Sequence, residues 1–126
     1  MNFKITHVNS IEAFEVKTSG EVNADEFIVM AEMLLNQPEF TPNCNVIFDH
    51  TALNFNNLSC DDLQKIRTFH IVNEERIGRG KSSIVVNVGL LSEWHKIWSK
   101  GQKIKTRNKV QVFESYDDAV KWIVGK

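Results

Sequence analysis

The side chains able to do chemistry are few and scattered: Asp49-His50, Ser59-Cys60, His70, and the tryptophans Trp94 and Trp98. Ser59 is followed three residues later by Asp62. That is the spacing of a capping box, in which the hydroxyl accepts from the third helical N–H and the acid reaches back. The same place makes Ser59 a candidate phosphosite, since a phosphate at a helix N-terminus meets the positive end of the helix dipole. Asp61 and Asp62 oppose that by like-charge repulsion. Cys60 falls in the first helical turn, where a thiol gains thiolate character; the same two acids oppose this too, so a structural thiol is its alternative. Asp49 and His50 close an apolar run, at the edge where open α/β sheets bind ligands. An acid beside a histidine is material for general acid–base work. However, neighbours on a strand face opposite sides, and no nucleophile with a base and an orienting group can be assigned. His70 reads as a core or rim histidine on a helix rather than a ligand.

A second group lies further on. Trp94 and Trp98 share a helical face with Leu91, and Leu90 and Ile97 widen the apolar part. Such a face packs in the core, covers an apolar pocket or contacts another subunit. Between Arg76 and Lys109 stand nine bases and one acid, Glu93. Lys96, Lys100, Lys103, Lys105 and Arg107 form its densest part. Such a run is either a solvated face or the reader of an anionic partner, such as a lipid headgroup, a phosphate-bearing ligand or an acidic protein surface. No aromatic residues interleave residues 99–109, which speaks against nucleic acid. Gly78-Arg79-Gly80-Lys81 leads into a strand, not a helix, and so lacks the geometry of a phosphate-cradling loop.

Composition bounds these readings. The chain has 126 residues, 42% apolar and 25% charged, with a net charge of −1. That is the profile of one globular domain over residues 1–126. The near-zero charge hides a split: residues 1–63 carry 10 acids and 2 lysines, residues 64–126 carry 6 acids and 13 bases. No secretory signal or membrane-spanning run is present, so a cytoplasmic protein is expected. Cys44 and Cys60 are expected to be reduced, and no His/Cys spacing fits a metal cluster. Nothing calls for a cofactor.

The elements that must position these residues follow from periodicity. Asn2–Thr18 alternates around Asn9-Ser10, an antiparallel hairpin. Asn23 and Glu26 open a helix carrying Phe27, Met30, Ala31 and Leu34, which Pro38 stops. Asn45–Asp49 is a buried strand, and 50–58 reads as a polar loop. The helix capped by Ser59 runs to about Glu75 and ends at Gly78 and Gly80. Ser83–Val88 is a strand, a third helix carries Leu91, Trp94 and Trp98 as far as Gly101, and 101–108 is a basic loop. Val110–Phe113 is the last strand, and Ser115 with Asp118 caps the last helix. Strands alternating with helices after a hairpin imply an α/β fold: a mixed, mostly parallel sheet of four to five strands with four flanking helices.

This order, with Gly20-Glu21-Val22 before a capped helix, a strand ending in Asp49, Ser59 at a helix start, and Val112-Phe113-Glu114 followed by Ala119-Val120-Lys121-Trp122-Ile123, resembles the SpoIIAA-like group of STAS- and SEC14-related small bacterial proteins. The resemblance implies a four- or five-stranded sheet with four helices. In the anti-sigma-factor antagonists of that group a serine at the start of the second helix is phosphorylated by a partner kinase, and Ser59 takes that place. The turn here reads Asn57-Leu58-Ser59-Cys60, without the glycine and preceding acid of those relatives. SEC14-related members bind lipid or other apolar ligands in a pocket. Two functions are therefore expected. The first is a non-catalytic regulatory or interaction domain, acting through a protein partner and homodimeric. The alternative is a small carrier or sensor of an apolar or anionic, lipid-like ligand near Trp94 and Trp98, with Asp49, His50 and the basic residues as its surface.

Overall fold

Alternating apolar residues set the first hairpin. In the computed structural model, which describes residues 1–87 and 109–125, β1 (Asn2–Val8) pairs antiparallel with β2 (Ala13–Glu21). A single 3-10 turn over Asn9–Ile11 joins them. Ile5 stands opposite Val16 and His7 opposite Phe14, so the apolar residues of both strands share a face.

Helix α1 (Ala24–Leu35) starts where Asn23 Oδ1 accepts from the Glu26 amide at 2.9 Å. It buries Ala24, Met30 and Leu34, of which Met30 and Leu34 pack on the sheet. Strand β3 (Asn45–Asn54) is longer than the five residues expected. The loop expected to begin at residue 50 begins at residue 55, because β3 stays paired with β2 as far as Asn54 opposite Glu21. Polar residues did not end the strand, since the sheet itself supplies their partners.

Ser59 completes its capping box: Oγ accepts from the Asp62 amide at 3.1 Å, and the Ser59 amide donates to Asp62 Oδ2 at 3.0 Å. Helix α2 (Cys60–Val72) stops short of Glu75. Asn73 takes its end, donating from Nδ2 to the Phe69 carbonyl at 2.9 Å, and a separate turn, α3 (Glu74–Ile77), follows. Strand β4 (Lys81–Val85) begins two residues before the expected start. Strand β5 (Lys109–Phe113) and helix α4 (Tyr116–Val124) complete the described chain. The helix expected around Leu91, Trp94 and Trp98 and the basic loop 101–108 lie outside the described residues.

The sheet has five strands in the order β1-β2-β3-β4-β5, all parallel from β2 to β5. It is the mixed, mostly parallel α/β sheet with an N-terminal hairpin that the alternation predicts, and four helices flank it among the described residues. One face buries Phe14, Val16 and Val46 with Met30 and Leu34 of α1. The other buries Ala13, Ile47 and Val85 with Ala119 and Ile123 of α4.

The entries into β3 and β4 lock together. Asn43, in left-handed conformation at φ 77°, donates its amide to the Ile77 carbonyl at 3.0 Å and accepts from the Arg79 amide at 2.7 Å. Gly80 lies so close that a Cβ there would stand 2.2 Å from the Cys44 carbonyl oxygen. Backbone cannot yield as a side-chain tip does. Gly80→Ala is therefore expected to lower stability by about 3 kcal/mol. Denaturant melts check this, and an unchanged midpoint would disprove the close approach.

Candidate functional site

The site begins with a bulge. Lys17 pairs with Asp49, but Ser19 pairs with Ala52, so β3 spends two residues, His50 and Thr51, opposite the single Thr18. Bulges re-aim side chains. Here His50 turns inward and is 1% exposed, with its Nδ1 2.7 Å from Thr18 Oγ1. Thr18 Oγ1 also donates to the Asp49 carbonyl at 3.2 Å. The protonation pattern that uses both contacts puts the imidazole hydrogen on Nδ1 and makes Nε2 the acceptor nitrogen.

Around His50 stand aromatic rings: Phe48 at 5.5 Å, Phe27 at 6.1 Å and Phe55 at 6.2 Å between centroids. Loss of water in this setting lowers the His50 pKa to about 4, outweighing the Asp49 charge, which pulls it upward. The ring is neutral at physiological pH.

His50 forms part of the wall of a cavity of about 100 Å3 between the helices and the sheet. Helix α1 contributes Phe27, Ala31, Leu34 and Leu35; the α1–β3 connection adds Phe40 and Cys44. Strand β3 contributes Val46, Phe48 and His50, and α2 contributes Ile66, Phe69 and His70. Ile77, Gly80, Ser82, Ile84 and Val110 complete it. Among the described residues, its walls hold no Asp, Glu, Lys or Arg. The arrangement can hold a small apolar body against several rings, with imidazole, hydroxyl and thiol groups as the polar features.

Asp49 is not part of this cavity. Strand alternation places it on the α4 face, where Oδ1 accepts from Thr51 Oγ1 at 2.7 Å and from the Thr51 amide at 3.2 Å. Tyr116 on that side donates to Glu15 Oε2 at 3.2 Å; burial first, and then the Glu15 charge, raise the phenol's pKa. Asp49 and His50 therefore do not meet as an acid–base pair. Ser59 is exposed, and its hydroxyl also donates to Asp62 Oδ2 at 3.0 Å. These bonds hold the Asp62 carboxyl below its usual pKa. Cys60 is exposed, whereas Cys44 is half-buried, with Sγ accepting from the Thr41 amide at 3.3 Å. No group of three His, Cys, Asp or Glu fit to hold a metal occurs among the described residues. No described helix is long and apolar enough to cross a membrane.

The basic run is only partly described. Arg76 bonds Glu32 at 3.0 Å and 3.3 Å, and Lys81 Nζ donates to the Trp122 carbonyl at 3.0 Å. These two bases fasten elements to one another. Trp94, Trp98, Lys96, Lys100, Lys103, Lys105 and Arg107 lie outside the described residues.

Sequence reasoning missed Thr18, Phe27 and Phe48 as neighbours of His50, and Phe69 and Ser82 as members of the same walls. A signal was present. Phe14-Val16-Thr18 and Val46-Phe48-His50 are two matched same-face runs, each ending in a polar residue, on strands that pair in parallel.

Comparison with solved structures decides the fold. An uncharacterised protein of the DUF3478 family from Shewanella loihica PV-4, described as having a SpoIIAA-like fold, superposes with a TM-score of 0.63. The match covers 97% of this chain and 92% of that one at 18% identity. The chain has a SpoIIAA-like fold. No family model and no curated protein matches the sequence. The SpoIIAA-like likeness speaks to architecture, and function must be argued from the cavity itself.

His50 makes stability depend on pH. The unfolded histidine titrates near 6.5 and the folded one near 4, so the unfolded chain binds more protons between these values. The stabilisation is complete above pH 6.5 and is lost as pH falls toward 4, by on the order of 3 kcal/mol. The Asp62 contribution is lost only below its ordinary value of 3.8. Denaturation midpoints from pH 7.5 to 4 check this. The His50→Phe variant should show a shallower slope, and an identical slope in both proteins would refute the assignment.

Proposed function

We propose that the protein is a small binding domain of the carrier or sensor kind, which holds an apolar molecule between the α1–α2 layer and the sheet. The observation that carries this reading is the cavity of about 100 Å3, walled by residues of α1, α2, β3, β4 and β5. Ligand sites are concave and mostly apolar, with a few placed polar groups. This cavity has that character at small scale, suited to one ring or a short chain. On this reading the apolar site lies at Phe48 and His50; Trp94 and Trp98 lie outside the described residues.

The test is a titration with 1-hexanol followed by methyl NMR. Shifts are expected at Leu34, Val46, Ile66 and Ile84, and Ala31→Leu, which narrows the cavity, should weaken binding about tenfold or more. No shift at these methyls up to the solubility limit would remove the reading.

A second reading, regulation through a protein partner or a second copy, is favoured by one surface observation. Val29 and Met33 lie one turn apart on the outside of α1 and are 54% and 48% exposed. Exposed apolar pairs of this kind suit association. Ser59 would then be the point of control, because a phosphate there breaks the capping box that starts α2. Light scattering at high micromolar concentration should give a dimer mass that Val29→Lys with Met33→Lys reduces to a monomer. A monomer mass for the parent protein ends the self-association form of this reading.

A further inference from the structure

We propose that the cavity selects an uncharged molecule built on a single aromatic ring, over both saturated and ionic ligands of equal size. This inference rests on the ligand-binding reading of the same cavity and names the class of ligand.

Size comes first. About 100 Å3 is on the scale of the roughly 150 Å3 engineered apolar cavity that takes up benzene. A long acyl chain exceeds it, whereas a single ring is at the upper end of what it takes, with any substituent directed out of the opening.

Shape and surface come next. Four phenylalanines reach the cavity from four separate segments: Phe27 from α1, Phe40 from the connection after it, Phe48 from β3 and Phe69 from α2. Rings prefer edge-to-face and offset contacts, because the face carries negative and the edge positive potential. Three wall rings already stand at different inclinations: Phe48 is tilted 30° and Phe27 55° to His50. Walls that come from several directions offer a flat guest both edges and faces. A saturated ring of the same volume gains burial from them but not this electrostatic fit.

Charge is the third consideration. His50 belongs to these walls and is held unprotonated because the site withholds water from the imidazolium. The same withdrawal of water acts on a carboxylate or an ammonium group carried in by a ligand. A hydroxyl is tolerated, since His50 and Ser82 are polar members of the same walls.

The experiment is an amide NMR titration of the full chain at pH 7 with four probes: benzyl alcohol, cyclohexylmethanol, benzoate and benzylammonium. Benzyl alcohol is expected to shift the amides of the cavity walls and to bind about threefold to tenfold tighter than cyclohexylmethanol. It should bind at least about tenfold tighter than either ion. Phe69→Leu should bring the two alcohols close to parity while 1-hexanol still binds; Phe48→Leu serves if the first variant does not fold. Equal binding of the two alcohols by the parent protein overturns the aromatic preference. Binding of benzoate or benzylammonium as tight as that of benzyl alcohol overturns the preference for an uncharged guest. In either case, 1-hexanol shifts at the cavity methyls leave the ligand-binding reading standing. Failure of all four probes and of 1-hexanol removes both.

Discussion

Thr18 and His50 meet at 2.7 Å inside the sheet, and the helical face is arranged around that contact. A parallel strand covered on both faces has no water for an imidazole, so a polar group there needs a partner from the sheet itself. The bulge supplies it. By spending His50 and Thr51 opposite Thr18 alone, β3 turns the ring inward onto a hydroxyl. Beyond the bulge β3 stays paired with β2, runs on to Asn54 and carries the chain to the cap that starts α2.

The same alternation divides the sheet chemically. Asp49, Thr51, Glu15 and Tyr116 make a polar cluster on the α4 side. His50 and the phenylalanines make an aromatic one beneath α1 and α2. Two residues adjacent in sequence thus have unrelated surroundings. The carboxylate keeps a hydroxyl and an amide as donors, and the imidazole loses its charge. An acid–base pair would need both on one side, and a strand does not deliver neighbours that way.

Much of the fold was legible because it is local. The hairpin follows from Phe3, Ile5, Phe14 and Val16. The starts of three helices follow from Asn23, Ser59 and Ser115, each of which accepts from the amide three residues on. The parallel course of β2 to β5 follows from the alternation of strands with helices. What was not legible depends on register between distant segments. A one-residue bulge between β2 and β3 cannot be seen in either strand alone. The loop expected at His50 was the reasonable reading of polar residues whose partner lies 32 positions away. Likewise, Asn73 ends α2 early by bonding the Phe69 carbonyl, a choice that periodicity through Glu75 does not reveal. The cavity itself is a property of three layers at once, so the aromatic residues that wall it looked in sequence like ordinary core.

The cavity also has an energetic meaning. Walls that border residual space lack partner atoms on one side and lose the contacts those atoms would make, and here that space amounts to about 100 Å3. The α4 side packs Ala119 and Ile123 directly on Ile47 and Val85, whereas this cavity lies under α1 and α2. A molecule that fills it regains the lost contacts and, binding only the folded chain, adds stability that grows with its concentration. The coupling runs both ways. Any change that loosens α1 or α2 from the sheet weakens the site, and any ligand that fits draws those helices onto it. The outer face of α1, with Val29 and Met33, and the capped start of α2, with Ser59, belong to the same two helices. The proposed carrier and regulatory readings therefore involve the same two helices.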